Sequence, residues 1–131
     1  MRTLDKFTHA YLVCALWSST EGDTDTPLDR NHSIEDIASS ELARIVADCE
    51  QFQAANESLL MQAGTSEQNG HDYWLTRNHH GAGFWDRGYS KELGQALTDA
   101  AHNTGECDLY IGDDGSIYVF PPDMSNREVA Q

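Results

Sequence analysis

Long hydrophobic runs are missing from this chain. The longest, Ala10–Trp17, has eight residues, far short of the ~18–20 that a membrane-spanning helix needs. It is followed by no small-residue cleavage site, so it is not read as a signal peptide. Basic residues are scarce as well: 8 Lys and Arg stand against 22 Asp and Glu, for a formal net charge of −14. Such a surface repels polyanions, which argues against direct binding to nucleic acid or to an anionic membrane. Cysteine is sparse and forms no CxxC pair. Cys14, Cys49 and Cys107 each sit inside an apolar periodic segment and read as buried free thiols of a reducing compartment. The alternative, a metal site shared with histidines, needs three distant segments to converge.

Aliphatic side chains are few too. Leu, Ile, Val and Phe number 24 of 131 residues, or 18%, below the ~20% that warns of disorder in a highly charged chain. Three Trp and five Tyr offset this, because each large ring buries roughly 150–250 Å² when packed. The length suits one domain, since domains cluster at roughly 100–150 residues. Motifs of the common catalysts are absent. There is no HxH or HExxH metal spacing, no GxSxG and no P-loop, and Gly81-Ala-Gly83 leads into Phe-Trp-Asp rather than a helix, unlike a dinucleotide fingerprint. No cofactor and no metal are assigned.

What is present is patterned. Leu4, Phe7, Tyr11, Cys14 and Trp17 recur every three or four residues and predict a first helix over 4–17. An acidic loop follows over Glu21–Asp29. Ser33-Ile-Glu-Asp36 has the form of a capping box, a hydroxyl with an acid three residues on. A long helix is predicted from Ser39 or Ser40 to about Ala63, closed by Gly64. Tyr73 and Leu75 alternate with Trp74 and Thr76, which predicts a strand over 72–78. His79–Gly83 would turn it into a returning strand at Phe84–Asp86. Ser90 caps a third helix to about His102. Cys107–Ile111 and Ser116–Phe120 form a second hairpin around an Asp-Gly turn. The expected fold class is α+β, with helices packed on a small antiparallel sheet built from two hairpins, in the order α-α-ββ-α-ββ. Residues 1–122 would form the domain and 123–131 a flexible tail.

Two features carry functional information. The first is the segment 71–88, HDYWLTRNHHGAGFWDRG, electrically neutral inside an acidic chain and holding two of the three tryptophans. Its bland reading is structural: Trp74 and Trp85 pack the sheet, Arg77 and Arg87 pair with Asp72 or Asp86, and the glycines turn the backbone. Its functional reading is a pocket or contact patch of Arg77, His79, His80, Trp85, Asp86 and Arg87. There the histidines would exchange protons near neutral pH and the arginines grip a carboxylate or phosphate. Adjacent histidines on a strand face opposite ways, which weighs against a metal site of His71, His79 and His80. The second feature is the run of acids Glu21, Asp23, Asp25, Asp29, Glu35 and Asp36, with only Arg30 opposing. It reads either as a solvated surface or as a mimic of nucleic-acid phosphates that a basic partner would accept. The order of an EF-hand calcium loop is absent.

The string Asp72-Tyr-Trp-Leu-Thr-Arg-Asn-His-His-Gly-Ala-Gly-Phe-Trp-Asp-Arg-Gly88, with Glu92-Leu-Gly94 and Asp108-Leu-Tyr-Ile-Gly-Asp-Asp-Gly115 after it, resembles a family of short bacteriophage and prophage proteins. The segments Cys14–Thr20 and Ala47–Phe52 are similar to the same family. The resemblance implies a small phage product acting in the bacterial host cytoplasm, and it supplies no catalytic residues. The expected function is binding of a host macromolecule, a protein rather than nucleic acid or membrane, as an inhibitor or mimic directed at a defence or nucleic-acid enzyme. The alternatives are a small enzyme or ligand-binding module built on 71–88, and a virion or assembly component.

Overall fold

The structure, a computed structural model, describes residues 3–22, 24–80 and 82–122. Among the described residues it is α+β: five α-helices with one two-stranded antiparallel sheet. Helix α1 spans Lys6–Ser18, and the Asp5 carboxylate caps it by accepting a hydrogen bond from the Thr8 amide at 2.7 Å. The predicted stripe is broader than expected. Phe7, Thr8, Tyr11, Leu12, Cys14, Ala15 and Leu16 are all buried, while Trp17 is 60% exposed. The chain packs around α1 on several sides, so a single stripe understates what it must bury.

The predicted long helix is two. Helix α2 is Ser39–Ala55 and α3 is Glu57–Gln62. The break falls at Asn56, whose amide and side-chain Nδ2 both donate to the Phe52 carbonyl, at 3.1 and 2.9 Å. A side chain that competes for a helix carbonyl in this way loosens the ladder.

The largest departure is at 71–78. The predicted strand is instead the second half of helix α4, Ser66–Arg77. There is thus no hairpin over 72–86: Phe84–Asp86 is a single 3-10 turn. Burial explains the misreading. Asn69, Gly70 and every residue from Asp72 to Arg77 are buried, and an element buried all round loses the polar face that separates helical from strand periodicity. A legible signal lay just upstream. Thr65-Ser-Glu-Gln68 has capping-box spacing, and Thr65 Oγ1 accepts from the Gln68 amide at 3.1 Å. Helix α4 closes in a Schellman motif: the His80 amide donates to the Leu75 carbonyl and the His79 amide to that of Thr76, with His79 at φ 57° where glycine is usual.

Helix α5, Lys91–Asn103, starts on Ser90, whose hydroxyl accepts from the Leu93 amide. Strands β1 (Asp108–Ile111) and β2 (Ile117–Phe120) pair with Leu109 opposite Val119 and Ile111 opposite Ile117. Gly115, at φ 84°, turns the chain between them. Leu109, Ile117 and Val119 face the core, whereas Tyr110 and Phe120 are exposed, the period-2 alternation of a one-sided sheet. The outer edge of β2 is covered. The Ala38 amide donates to the Ile117 carbonyl at 3.0 Å, and the Glu41 carboxylate accepts from the Val119 amide at 2.9 Å, which blunts an otherwise sticky edge. The expected tail, 123–131, lies outside the described residues.

Rings fill the core. Phe52 stacks on Tyr73 at 4.0 Å between centroids, Tyr11 meets Trp74 edge-on at 5.4 Å, and Phe84 lies 6.1 Å from Phe52. Helices α1 and α4 approach so closely at Gly70 that a Cβ there would collide with the Phe7 backbone carbonyl oxygen. A backbone atom cannot rotate away as a side chain can. Gly70→Ala is therefore expected to destabilise the fold by at least roughly 1–3 kcal/mol, the ordinary range for an overpacked core, as read from urea unfolding. Wild-type stability in that variant would disprove the tight crossing.

Candidate functional site

The segment 71–88 folds as the end of α4, its Schellman turn and a loop that returns across the helix. Three polar contacts hold the loop down. Arg87 forks onto Asp72, with Nε to Oδ2 at 2.9 Å and Nη2 to Oδ1 at 2.7 Å; Asp72 is fully buried. Thr76 Oγ1 accepts from the Phe84 amide at 3.1 Å. Asn78 Oδ1 accepts from the Cys107 amide at 2.8 Å, fastening the end of α4 to the segment entering β1. Gly83 stands where a Cβ would strike Thr76 Oγ1.

Arg77 is only 4% exposed. Its Nε donates to the Gly105 carbonyl at 2.9 Å and its Nη2 to that of Thr104 at 3.2 Å. Its Nη1 donates to the Tyr11 hydroxyl at 3.1 Å and lies 3.3 Å from Asp48 Oδ2. The guanidinium sits over the Tyr73 ring. Burial opposes its charge, but Tyr11, Cys107, Tyr73 and Asp48 around it more than compensate. With donors committed on every side, Arg77 joins α1, α2, α4 and the turn after α5, and it is withdrawn from any external ligand.

The other sequence-predicted residues divide. His79, His80, Trp85 and Asp86 are exposed on the loop, with Trp85 at 56%. The His79 ring stacks on His102 at 4.1 Å, and its Nε2 lies 3.6 Å from Glu106. Arg87 is one-third exposed at its side chain but engaged with Asp72. The expected pocket uniting Arg77 with His79 and His80 is therefore not formed. Among the described residues, no three His, Cys, Asp or Glu side chains gather as metal ligands would.

The three thiols are buried and unpaired. Burial raises Cys14 to about 12, with Asp72 adding to the effect, and burial also raises Cys49 and Cys107. Such thiols are poor nucleophiles at neutral pH.

The acidic run is organised rather than loose. Thr20 bridges to Pro27, and the Leu28 amide donates to the Ser19 carbonyl at 2.8 Å. Two single 3-10 turns follow, Leu28–Arg30 and Ile34–Asp36. The capping box at Ser33 forms as predicted: the Asp36 carboxylate accepts from the Ser33 amide at 2.9 Å. Leu28 and Ile37 anchor the segment in the core. Asp25, Asp29, Glu35 and Asp36 are exposed, and Glu21 is half-buried and accepts from Asn31 at 2.8 Å. Asp23 lies outside the described residues.

Against known proteins, the chain matches no family model, no curated protein and no solved structure. No described helix is long and apolar enough to cross a membrane.

Two predictions follow from this geometry. Arg87→Ala leaves the Asp72 carboxylate buried and uncompensated, and is expected to cost on the order of 2–4 kcal/mol. That is somewhat below the cost of breaking a fully buried pair, because Arg87 is partly solvated. His80→Ala should stay within about 0.5 kcal/mol. Thermal unfolding of both variants checks the contrast, and equal stabilities would refute the brace. The second concerns pH. The folded thiols bind their protons more tightly than unfolded ones do, so above pH ~9 the unfolded chain holds fewer protons and stability falls as pH rises. The loss continues toward about 12 for Cys14. Urea midpoints measured from pH 7 to 11 should decline, and a flat profile contradicts burial of the thiols.

Proposed function

We propose that this protein is a small binding protein of bacteriophage type that acts in the bacterial host cytoplasm by capturing a basic surface on a host protein, as an inhibitor or nucleic-acid mimic. One observation supports the reading above the others. The two arginines of the neutral segment are turned to internal work, Arg77 on Tyr11, Asp48, Thr104 and Gly105 and Arg87 on Asp72. Exposed carboxylates such as Asp25, Asp29, Glu35 and Asp36 therefore face solvent with few free cations to balance them. A field of one sign speeds encounter with an oppositely charged partner and discriminates against polyanions.

The alternative, a ligand-binding module or enzyme on the 71–88 segment, draws on the exposed His79, His80, Trp85 and Asp86 of one loop. It loses Arg77, the residue best suited to grip an anion.

Capture from host lysate by the tagged chain is expected to weaken as salt rises and the Debye length shortens from ~10 Å at 0.1 M toward ~3 Å at 1 M. The combined variant Asp25→Asn, Asp29→Asn, Glu35→Gln should slow association roughly tenfold at low salt, the effect expected of peripheral charges, with the melting temperature nearly unchanged. Capture indifferent to both salt and these substitutions rejects the electrostatic reading. Capture lost instead with His79→Ala and His80→Ala favours the alternative.

A further inference from the structure

The acidic segment borders an apolar recess. Between the outer side of α1 and the two 3-10 turns lies a recess of about 340 Å³ whose floor is Val13, Leu16 and Ile34 and whose rim carries Asp29 and Glu35. Val13 is 47% exposed, although it belongs to a helix otherwise buried over most of its surface. One turn further along α1, Trp17 is also exposed, so the apolar character continues beyond the recess. On the other side of Ile34 and Glu35, which line both, a second recess of about 580 Å³ is floored by Leu4, Ile37 and Leu42. Two apolar depressions thus lie side by side, with Glu35 at the margin of both and Asp29 at the margin of the first.

From this juxtaposition we infer that the face formed by α1 and residues 28–37 is a docking groove for a cationic amphipathic segment of a partner protein. Apolar side chains of that segment would enter the two recesses, and its Lys or Arg residues would meet Asp29, Glu35 and Asp36. The inference rests on the proposed binding function and names the place where it occurs. Charge selects the occupant. A second copy of this chain would bring another net −14 against the same acids, and nucleic acid or an anionic lipid would be repelled likewise. A neutral apolar segment would fill the floor but leave the rim unanswered. A segment with one apolar and one basic face satisfies both, as in the helix-in-groove mode of peptide recognition.

The groove is tested with the full chain by methyl NMR titration against three synthetic peptides: an amphipathic Leu/Lys helix, a scrambled sequence of the same composition, and an amphipathic Leu/Gln analogue. The Leu/Lys helix is expected to shift the methyls of Val13, Leu16 and Ile34. Its affinity should fall about tenfold in Val13→Ser and again in Asp29→Asn/Glu35→Gln, all three positions being exposed enough to spare the fold. If the scrambled peptide binds equally well, with shifts spread over exposed acids elsewhere, the groove is wrong while electrostatic capture stands. If the Leu/Gln analogue binds as tightly and without salt dependence, the cationic occupant is wrong and the charge-based function fails with it. Absence of any methyl shift at these three residues with the Leu/Lys helix overturns the groove outright.

Discussion

Helices α1 and α4 cross almost in backbone contact, and the packing of the core follows from that crossing. The crossing exists because Gly70 presents no side chain to the Phe7 carbonyl, which lets the two helices meet backbone to backbone. At that distance Tyr11, Tyr73 and Trp74 interlock, and Phe52 of α2 and Phe84 of the returning loop complete the aromatic cluster. A chain poor in aliphatic residues obtains its core from ring area instead. The close approach buries most of the second half of α4, and burial forces its polar residues to find internal partners.

Those partners account for much of the 71–88 segment. Asp72, Thr76, Arg77 and Asn78 are the polar residues of a largely buried helix end. Each is answered by a neighbour, namely Arg87, the Phe84 amide, the turn after α5 and the Cys107 amide. Once one partner of such a network is in place, removing the other strands a charge or donor in low dielectric, so the network specifies its geometry more than it adds stability. A motif that stands out by composition can thus be demanded by packing. The same network has an outward consequence: by burying Arg77 and tying the partly exposed Arg87 to Asp72 it leaves fewer cations free at the surface, linking core energetics to the recognition chemistry proposed for the acidic face.

The local readings that held were those with a strong terminal or turn signal. Ser90 caps α5, the Ser33 capping box forms, and Gly112-Asp-Asp-Gly115 turns the C-terminal hairpin. The readings that failed were those in which periodicity had to decide alone. Tyr73-Trp-Leu-Thr76 is aromatic and β-branched enough for a strand, yet the neighbours supplied by α1, α5 and the 84–86 turn make it a helix. Trp17, placed on a buried stripe by spacing, is exposed because the stripe of α1 is set by what packs on it. Of the candidate site, the exposure of His79, His80 and Trp85 was consistent with a surface role, whereas the withdrawal of Arg77 into the core was illegible, since Tyr11, Asp48 and Thr104 come from elements far apart in the chain.

Read from residues alone, this protein has a decided charge, a decided class of mixed helix and sheet, the Ser33 capping box, the Ser90 helix cap and its C-terminal hairpin, because each of these rests on composition or on neighbours a few positions away. The tertiary structure decided whether 71–78 would be strand or helix, which arginines would remain available to a partner, and where acids and apolar side chains would share a groove. These depend on contacts between residues dozens of positions apart. A stretch such as Asp72–Arg77, buried residue after residue, carries no alternation of polar and apolar positions from which its period could be read.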